Sequence, residues 1–190
     1  MSVKMIVAFH KPYRVPEKSC YLPMHVGASG KQSLGPAWTR DDTGDNISDK
    51  NASFCELTGI YWAWKHISAD IIGTAHYRRY FVNQKWWNKP FNRILDEQQI
   101  EAMLQGHDAI LPKKRHYYIE TRESQYCHAH HPEDLACVRQ VLTEKYPDYL
   151  PQWDEMLKTR SGHIFNMFIM RQPLFDAYMT WLMDILFTVE

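Results

Sequence analysis

Short runs of branched apolar residues alternate along this chain with stretches of helical periodicity, and that alternation restricts its fold more than any other feature. Val3-Lys4-Met5-Ile6-Val7-Ala8-Phe9 has the length and composition of a buried strand and stops at His10-Lys11-Pro12. Ala69 to Ala75 has the same character and runs straight into the cationic segment His76-Tyr77-Arg78-Arg79-Tyr80. Asp108 to Leu111 and His163 to Met170 read as further strands. Helical stripes lie between them. Ser53 and Glu56 stand at capping-box spacing while Phe54, Leu57, Tyr61 and Trp64 share one face, which predicts a helix from Ser53 to His66. Asp96 caps a second helix that carries Ile100, Met103 and Leu104 and stops at Gly106. Pro132 and Pro151 open two more. From Pro173 the repeat of Phe175, Tyr178, Met179, Leu182, Ile185 and Leu186 marks the clearest helix of all. Such an order predicts an α/β fold: a central, mostly parallel sheet with helices on both faces and ligands at the carboxyl ends of its strands.

One stretch breaks the pattern. Tyr13 to Asn51 is rich in Pro, Gly, Ser and Asp with little periodicity, a length of irregular chain that compact domains keep for function, so it reads as a binding loop. At 190 residues the chain suits one domain over its whole length, 1–190. Its 22 basic residues cancel its 22 acidic ones, which disfavours a nucleic-acid partner. The 14% aromatic share suits a packed core or flat ligands such as bases and sugar rings. Cys20, Cys55, Cys127 and Cys137 show neither a C-x-x-C pair nor dense spacing, so a reducing, cytoplasmic setting is expected. No signal peptide or membrane-spanning run is present, and any membrane contact is expected to be peripheral, at the inner face.

Familiar phosphate signatures fail. There is no G-x-G-x-x-G, and Gly27-Ala28-Ser29-Gly30-Lys31-Gln32-Ser33 departs from a P-loop because His25 stands where its first glycine belongs, so the stretch reads as a flexible loop. No G-x-S-x-G elbow supplies a hydrolase nucleophile. Asp41-Asp42-Thr43-Gly44-Asp45-Asn46 crowds carboxylates around a glycine, as a divalent ion, sugar hydroxyls or a solvated turn would all permit. Cys127-His128-Ala129-His130-His131 offers zinc-ligand types without a second cluster at finger spacing; the same histidines could bind phosphate or sugar, and His131 could cap the helix at Pro132. Lys113-Lys114-Arg115-His116-Tyr117-Tyr118 mixes cations with aromatics, as a phosphorylated acceptor, an anionic membrane or a solvated loop would allow. His76-Tyr77-Arg78-Arg79 carries the best site signal, since guanidinium forks at a strand terminus can grip a diphosphate and stabilise it as a leaving group.

Taken together, HKPY at 10–13, DDTGDNIS at 41–48, KNASFCELTGIYWAWK at 50–65, HYRRYF at 76–81 and the later ILPKKRHYYIE, HAHHPEDL and HIFNMFIM resemble one bacterial family. It is the capsular polysaccharide and lipopolysaccharide glycosyltransferase family long catalogued as a domain of unknown function. The resemblance implies a GT-A-like fold distantly similar to glycogenin-type enzymes. It also implies a UDP-hexose donor such as UDP-galactose, and a growing glycan or lipid-linked glycan acceptor. It places Tyr13 on the base, and His10 of the same HKPY motif is a substrate-binding candidate. It also makes His163 and Asn166 sugar-binding candidates; read from the residues themselves, Asp41, Asp42, Asp45, Asn46 and Lys50 are candidates for ribose or donor sugar, and His128 and His130 for the substrate. Arg78, Arg79 and His76 are the catalytic candidates. Glycogenin-type enzymes carry Asp-x-Asp where this chain reads HYRRYF, so manganese or magnesium is not firmly expected and the arginines take the ion's place. Family members run further past the last helix, where glycogenin-type enzymes keep a diphosphate-binding His and Lys, so the resemblance leaves open a truncated or inactive form. A non-catalytic sugar-nucleotide or glycan-binding module and a zinc protein built on Cys127 to His131 are the rival readings.

Overall fold

The computed structural model describes residues 1–83 and 90–190. Strand β1 (Val3–Phe9) is buried at every position but Lys4, as expected of a strand paired on both sides and covered on both faces. β2 (Tyr21–His25) runs parallel beside it, with Met5 opposite Tyr21 and Phe9 opposite His25. β3 (Thr39–Arg40) extends that side of the sheet. On the other side β4 (Ile71–His76) lies parallel to β1, from Val3 opposite Ile71 to Ala8 opposite His76. β5 (Ala109–Ile110) stands at the far edge. Two short strands, β6 (Arg115–His116) and β7 (Ser161–Gly162), pair separately. β8 (Ile169–Arg171) inserts antiparallel between β4 and β5. The resulting six-stranded sheet has the order β3-β2-β1-β4-β8-β5, mostly parallel as the alternation predicts.

Helix α1 (Asn51–Phe54) is one turn, and α2 (Leu57–His66) follows it. Ile6 and Ala8 of β1, Met24 of β2 and Ala63 of α2 meet in one buried cluster, so α2 covers the face that the even positions of β1 present. Helix α3 (Glu97–Met103) begins at the expected cap: Asp96 accepts from the Gln99 N–H at 2.9 Å while the Gln99 side chain accepts from the Asp96 N–H at 3.1 Å. Gly106 follows in the left-handed region at φ 75°.

The chain divides into two compact units, Met1–Pro112 with Asn166–Ala177, and Lys113–Phe165 with Tyr178–Glu190. The second holds α4 (Arg122–Ala129), α5 (Pro132–Lys145), α6 (Leu150–Lys158) and most of α7 (Gln172–Val189). Its core joins Val141 and Leu142 of α5, Trp153 of α6, and Trp181 and Ile185 of α7, which puts part of the aromatic excess into packing. No described helix is long and apolar enough to cross a membrane.

Four expectations change. The irregular stretch from Tyr13 to Asn51 contains β2 and β3; Pro23 is accommodated inside β2 because β3 pairs only from Met24 onward, so the proline precedes the two-sided part. The helix from Ser53 to His66 is broken at Cys55 (φ 48°, ψ −127°), and neither α1 nor α2 carries a side-chain cap. The strand from His163 to Met170 shrinks to Ile169–Arg171, because Asn166 and Phe168 are held by Thr74: its hydroxyl donates to the Asn166 carbonyl at 3.0 Å and accepts from the Phe168 N–H at 3.2 Å. Finally, residues 27–29 are pinned by hydrogen bonds rather than loose. The reason lies at Asp41.

Candidate active site

From β1 the chain builds outward to β2 and β3, then returns to place β4 on the opposite flank. The order therefore reverses between β1 and β4, and the carboxyl ends of two parallel strands open a crevice there, where ligands of such sheets bind. His10 leaves β1 at this point and Tyr77 leaves β4. Their rings meet edge to face at 5.0 Å, with the Tyr77 hydroxyl 3.3 Å from His10 Nε2. Tyr77 is only 1% exposed and stacks on Phe9, so it forms the fixed floor of the crevice. A tight turn follows, in which the His76 N–H donates to the Arg79 carbonyl at 3.1 Å and the Arg79 N–H to the His76 carbonyl at 2.7 Å. That turn exposes Arg78 and Arg79. The Arg78 guanidinium sits 5.1 Å over the Tyr77 ring and Lys11 Nζ 5.9 Å from it, so both strand ends deliver positive charge.

Two hollows share Arg78. One, of about 320 Å³, is lined by His10, Asn51, Cys55, Glu56, His76 and Arg78 with Ala8 and Val26. The other, of about 470 Å³, is lined by Tyr13, Tyr77, Arg78, Tyr80 and Phe91 among others. Tyr13 is half exposed and meets Tyr77 edge-on at 5.2 Å, which leaves a face for a flat ligand. Burial, reinforced by Arg78, Arg79 and His10 and opposed by Glu56, lowers the pKa of His76. His76 is therefore a neutral imidazole at neutral pH, able to accept or donate one hydrogen bond without adding charge.

Glu56 is the residue that the capping-box pattern concealed. Instead of capping a helix, it follows Cys55, whose positive φ with ψ near −127° is a conformation glycine prefers and other residues adopt at a cost of about 1–3 kcal/mol. The strain is held by Asn51, whose side-chain amide donates to the Cys55 carbonyl at 2.7 Å and to Thr58 Oγ1 at 3.2 Å. In consequence the chain turns Glu56 into the hollow, where the Asn166 amide lies 3.5 Å from its Oε2.

The aspartate loop lies elsewhere. Asp41 is 0% exposed, and its carboxylate accepts from the Gly27 N–H (2.8 Å), the Ala28 N–H (2.9 Å), Ser48 Oγ and Thr58 Oγ1 (2.6 Å). The glycine-bearing loop does cradle an anion, but that anion is the chain's own. Asp42 is forked by Arg40, which holds its carboxyl below the usual range. Asp45 accepts from the Tyr61 hydroxyl at 3.0 Å, and Asn46 bonds the Gly44 carbonyl at 2.8 Å and the Ser48 N–H at 3.1 Å. Lys50 ends the 3-10 turn Ser48–Lys50. None of these loop residues lines the hollow that holds Glu56. His128, His130 and His163 belong to the second unit. There His128 Nδ1 contacts Glu120, and the His130 ring lies 4.8 Å from that of Tyr126. His131 precedes α5 without a side-chain cap. Among the described residues no three His, Cys, Asp or Glu side chains converge to hold a metal ion, so the zinc reading finds no site.

A solved structure described as the apo form of WbbM, a bifunctional glycosyltransferase, superposes with a TM-score of 0.87 and 30% identity over 100% of this chain. The chain spans 37% of that structure's own length. No curated protein matches the chain. A family model described as "Domain of unknown function (DUF4422)" matches residues 4–190, which bears out the resemblance carried by the motifs. The chain belongs to the DUF4422 family.

Proposed function

We propose that this chain is a GT-A-like glycosyltransferase domain that takes a hexose, galactose in the first instance, from a UDP-sugar and adds it to a growing capsular or lipopolysaccharide glycan. The observation that carries the reading is the turn 76–79 at the switch point of the sheet, where Arg78 stands between an aromatic hollow and a polar one. A diphosphate held there meets the exposed guanidiniums of Arg78 and Arg79 and the Lys11 ammonium. Its base reaches toward Tyr13 and its sugar toward His10, His76 and Asn166. Similarity to the WbbM glycosyltransferase supports the same class of chemistry. Asp41, Asp42 and Asp45 act in this reading as structural carboxylates.

No Asp-x-Asp follows β4, and arginine supplies positive charge without an ion. Isothermal titration with UDP, in chelator and then in manganese, tests this. Binding is expected to persist in chelator and to change little with manganese. Binding that needs manganese would transfer the role of the arginines to a metal ion, and no binding in either condition would end the nucleotide-sugar reading.

Contact with an anionic membrane surface belongs to the same proposal. Tyr118 and Ile119 are 83% and 86% exposed, Tyr118 takes a positive φ of 60°, and Lys113, Lys114 and Arg115 precede them, all exposed. Cations near an anionic leaflet contribute about 1 kcal/mol each. Co-sedimentation with phosphatidylserine vesicles, and not with phosphatidylcholine ones, is expected, and reversing the charge of those three residues should abolish it. Equal binding to both lipids would refute an electrostatic contact.

A further inference from the structure

We infer that Glu56 is the general base of the transfer, taking the acceptor's proton in a single displacement; this rests on the transferase reading above. Among the described residues Glu56 is the carboxylate that lines the hollow beside Arg78, His76 and His10. The other nearby acids are engaged: Asp41 is buried under four donors, Asp42 is forked by Arg40, and Asp45 accepts from Tyr61.

Placement favours chemistry over packing. Glu56 is half-buried, neither starts a helix through its side chain nor forms an ion pair with a lysine or arginine of the described residues, and follows a backbone strained at Cys55. Strain of this kind persists where surrounding structure over-determines it, and here the Asn51 side-chain amide and the Thr58 backbone N–H do so by donating to the Cys55 carbonyl. The Asn166 amide, 3.5 Å from Oε2, orients the carboxylate while leaving Oε1 to accept a proton.

In the step itself an acceptor hydroxyl gives its proton to Glu56 as its oxygen bonds to the anomeric carbon. The bond from that carbon to the diphosphate oxygen breaks, and the electron pair leaves with the nucleoside diphosphate toward Arg78 and Arg79. Attack from the face opposite the leaving group inverts the anomeric carbon, so the configuration of the product reads out a base-assisted single displacement.

The test needs no knowledge of the natural acceptor. Wild type and Glu56→Gln are titrated with UDP and assayed for UDP release from UDP-galactose, UDP-glucose and UDP-N-acetylglucosamine, with water and methanol as surrogate acceptors. Glu56→Gln should bind UDP within about threefold of wild type and lose turnover about 100-fold or more, the usual worth of a positioned base. Wild type should turn the α-linked donor into the β-methyl glycoside, read by proton NMR. Undiminished turnover in Glu56→Gln, an α-glycoside product, or a wild type that binds UDP yet releases none from any donor would each overturn the assignment while sparing the nucleotide site. A wild type that does not bind UDP at all would remove the transferase reading and this inference together.

Discussion

Replacing Arg78 and Arg79 together with alanine is expected to lower UDP-sugar turnover about 100- to 1,000-fold, the range seen when fixed positive groups are removed from a developing anion. The diphosphate gains charge as the glycosidic bond breaks, and a guanidinium aimed at it needs no rearrangement at that moment. Arg78 lines both hollows and is braced over Tyr77, so Arg78→Ala alone should account for most of the loss. Arg78→Lys keeps the charge and loses the planar fork, and should recover only part of the rate. Both arginines are exposed, so thermal stability should hold to within about 0.5 kcal/mol. His76 provides an independent readout. Both guanidiniums lower its pKa, so the double variant should shift its NMR titration upward toward the ordinary histidine value. Turnover within threefold of wild type would mean that the diphosphate does not rest on this turn.

How far the sequence could be read follows from what each signal depends on. The runs that become β1 and β4 are buried along nearly their whole length, and predominantly apolar composition encodes that directly, so the sheet and the cationic turn at its switch point were both legible. β2 was not, since Pro23 and His25 interrupt its pattern and its place depends on pairing with β1. The aspartates drew attention as ligands because spacing reports that carboxylates are near one another and says nothing of what faces them. Amides of Gly27 and Ala28, remote in sequence, decide the fate of Asp41. Glu56 shows the converse. A glutamate three residues after Ser53 has a sufficient local explanation as a capping box, and only the positive φ at Cys55, a tertiary feature, removes that explanation. HYRRYF needed no such help because a strand terminus is itself local.

Asp41→Ala is expected to destabilise the fold by about 3–5 kcal/mol, the usual cost of removing one partner from a buried charged network. Two backbone N–H groups and two hydroxyls would lose their acceptor at once, with no route to water. For a chain of this size that loss corresponds to a fall in Tm of roughly 6–20 °C. Asp41→Asn, which keeps the shape but turns donors toward donors, should fall between. Gly27 ties the same point down, because at φ 59° a Cβ there would lie 2.3 Å from Asn51 Cγ. The network also reaches the hollow that Glu56 lines. Thr58 donates to Asp41 and accepts from Asn51, and Asn51 holds the Cys55 carbonyl that turns Glu56 into the hollow. Asp41→Ala protein that remains folded below its lowered Tm should therefore lose turnover more than UDP affinity, since the base is displaced while the arginine turn is untouched. A ribose-binding aspartate would give the reverse, weakened UDP binding at unchanged Tm, so calorimetry and titration on one preparation separate a carboxylate that builds the site from one that touches the nucleotide.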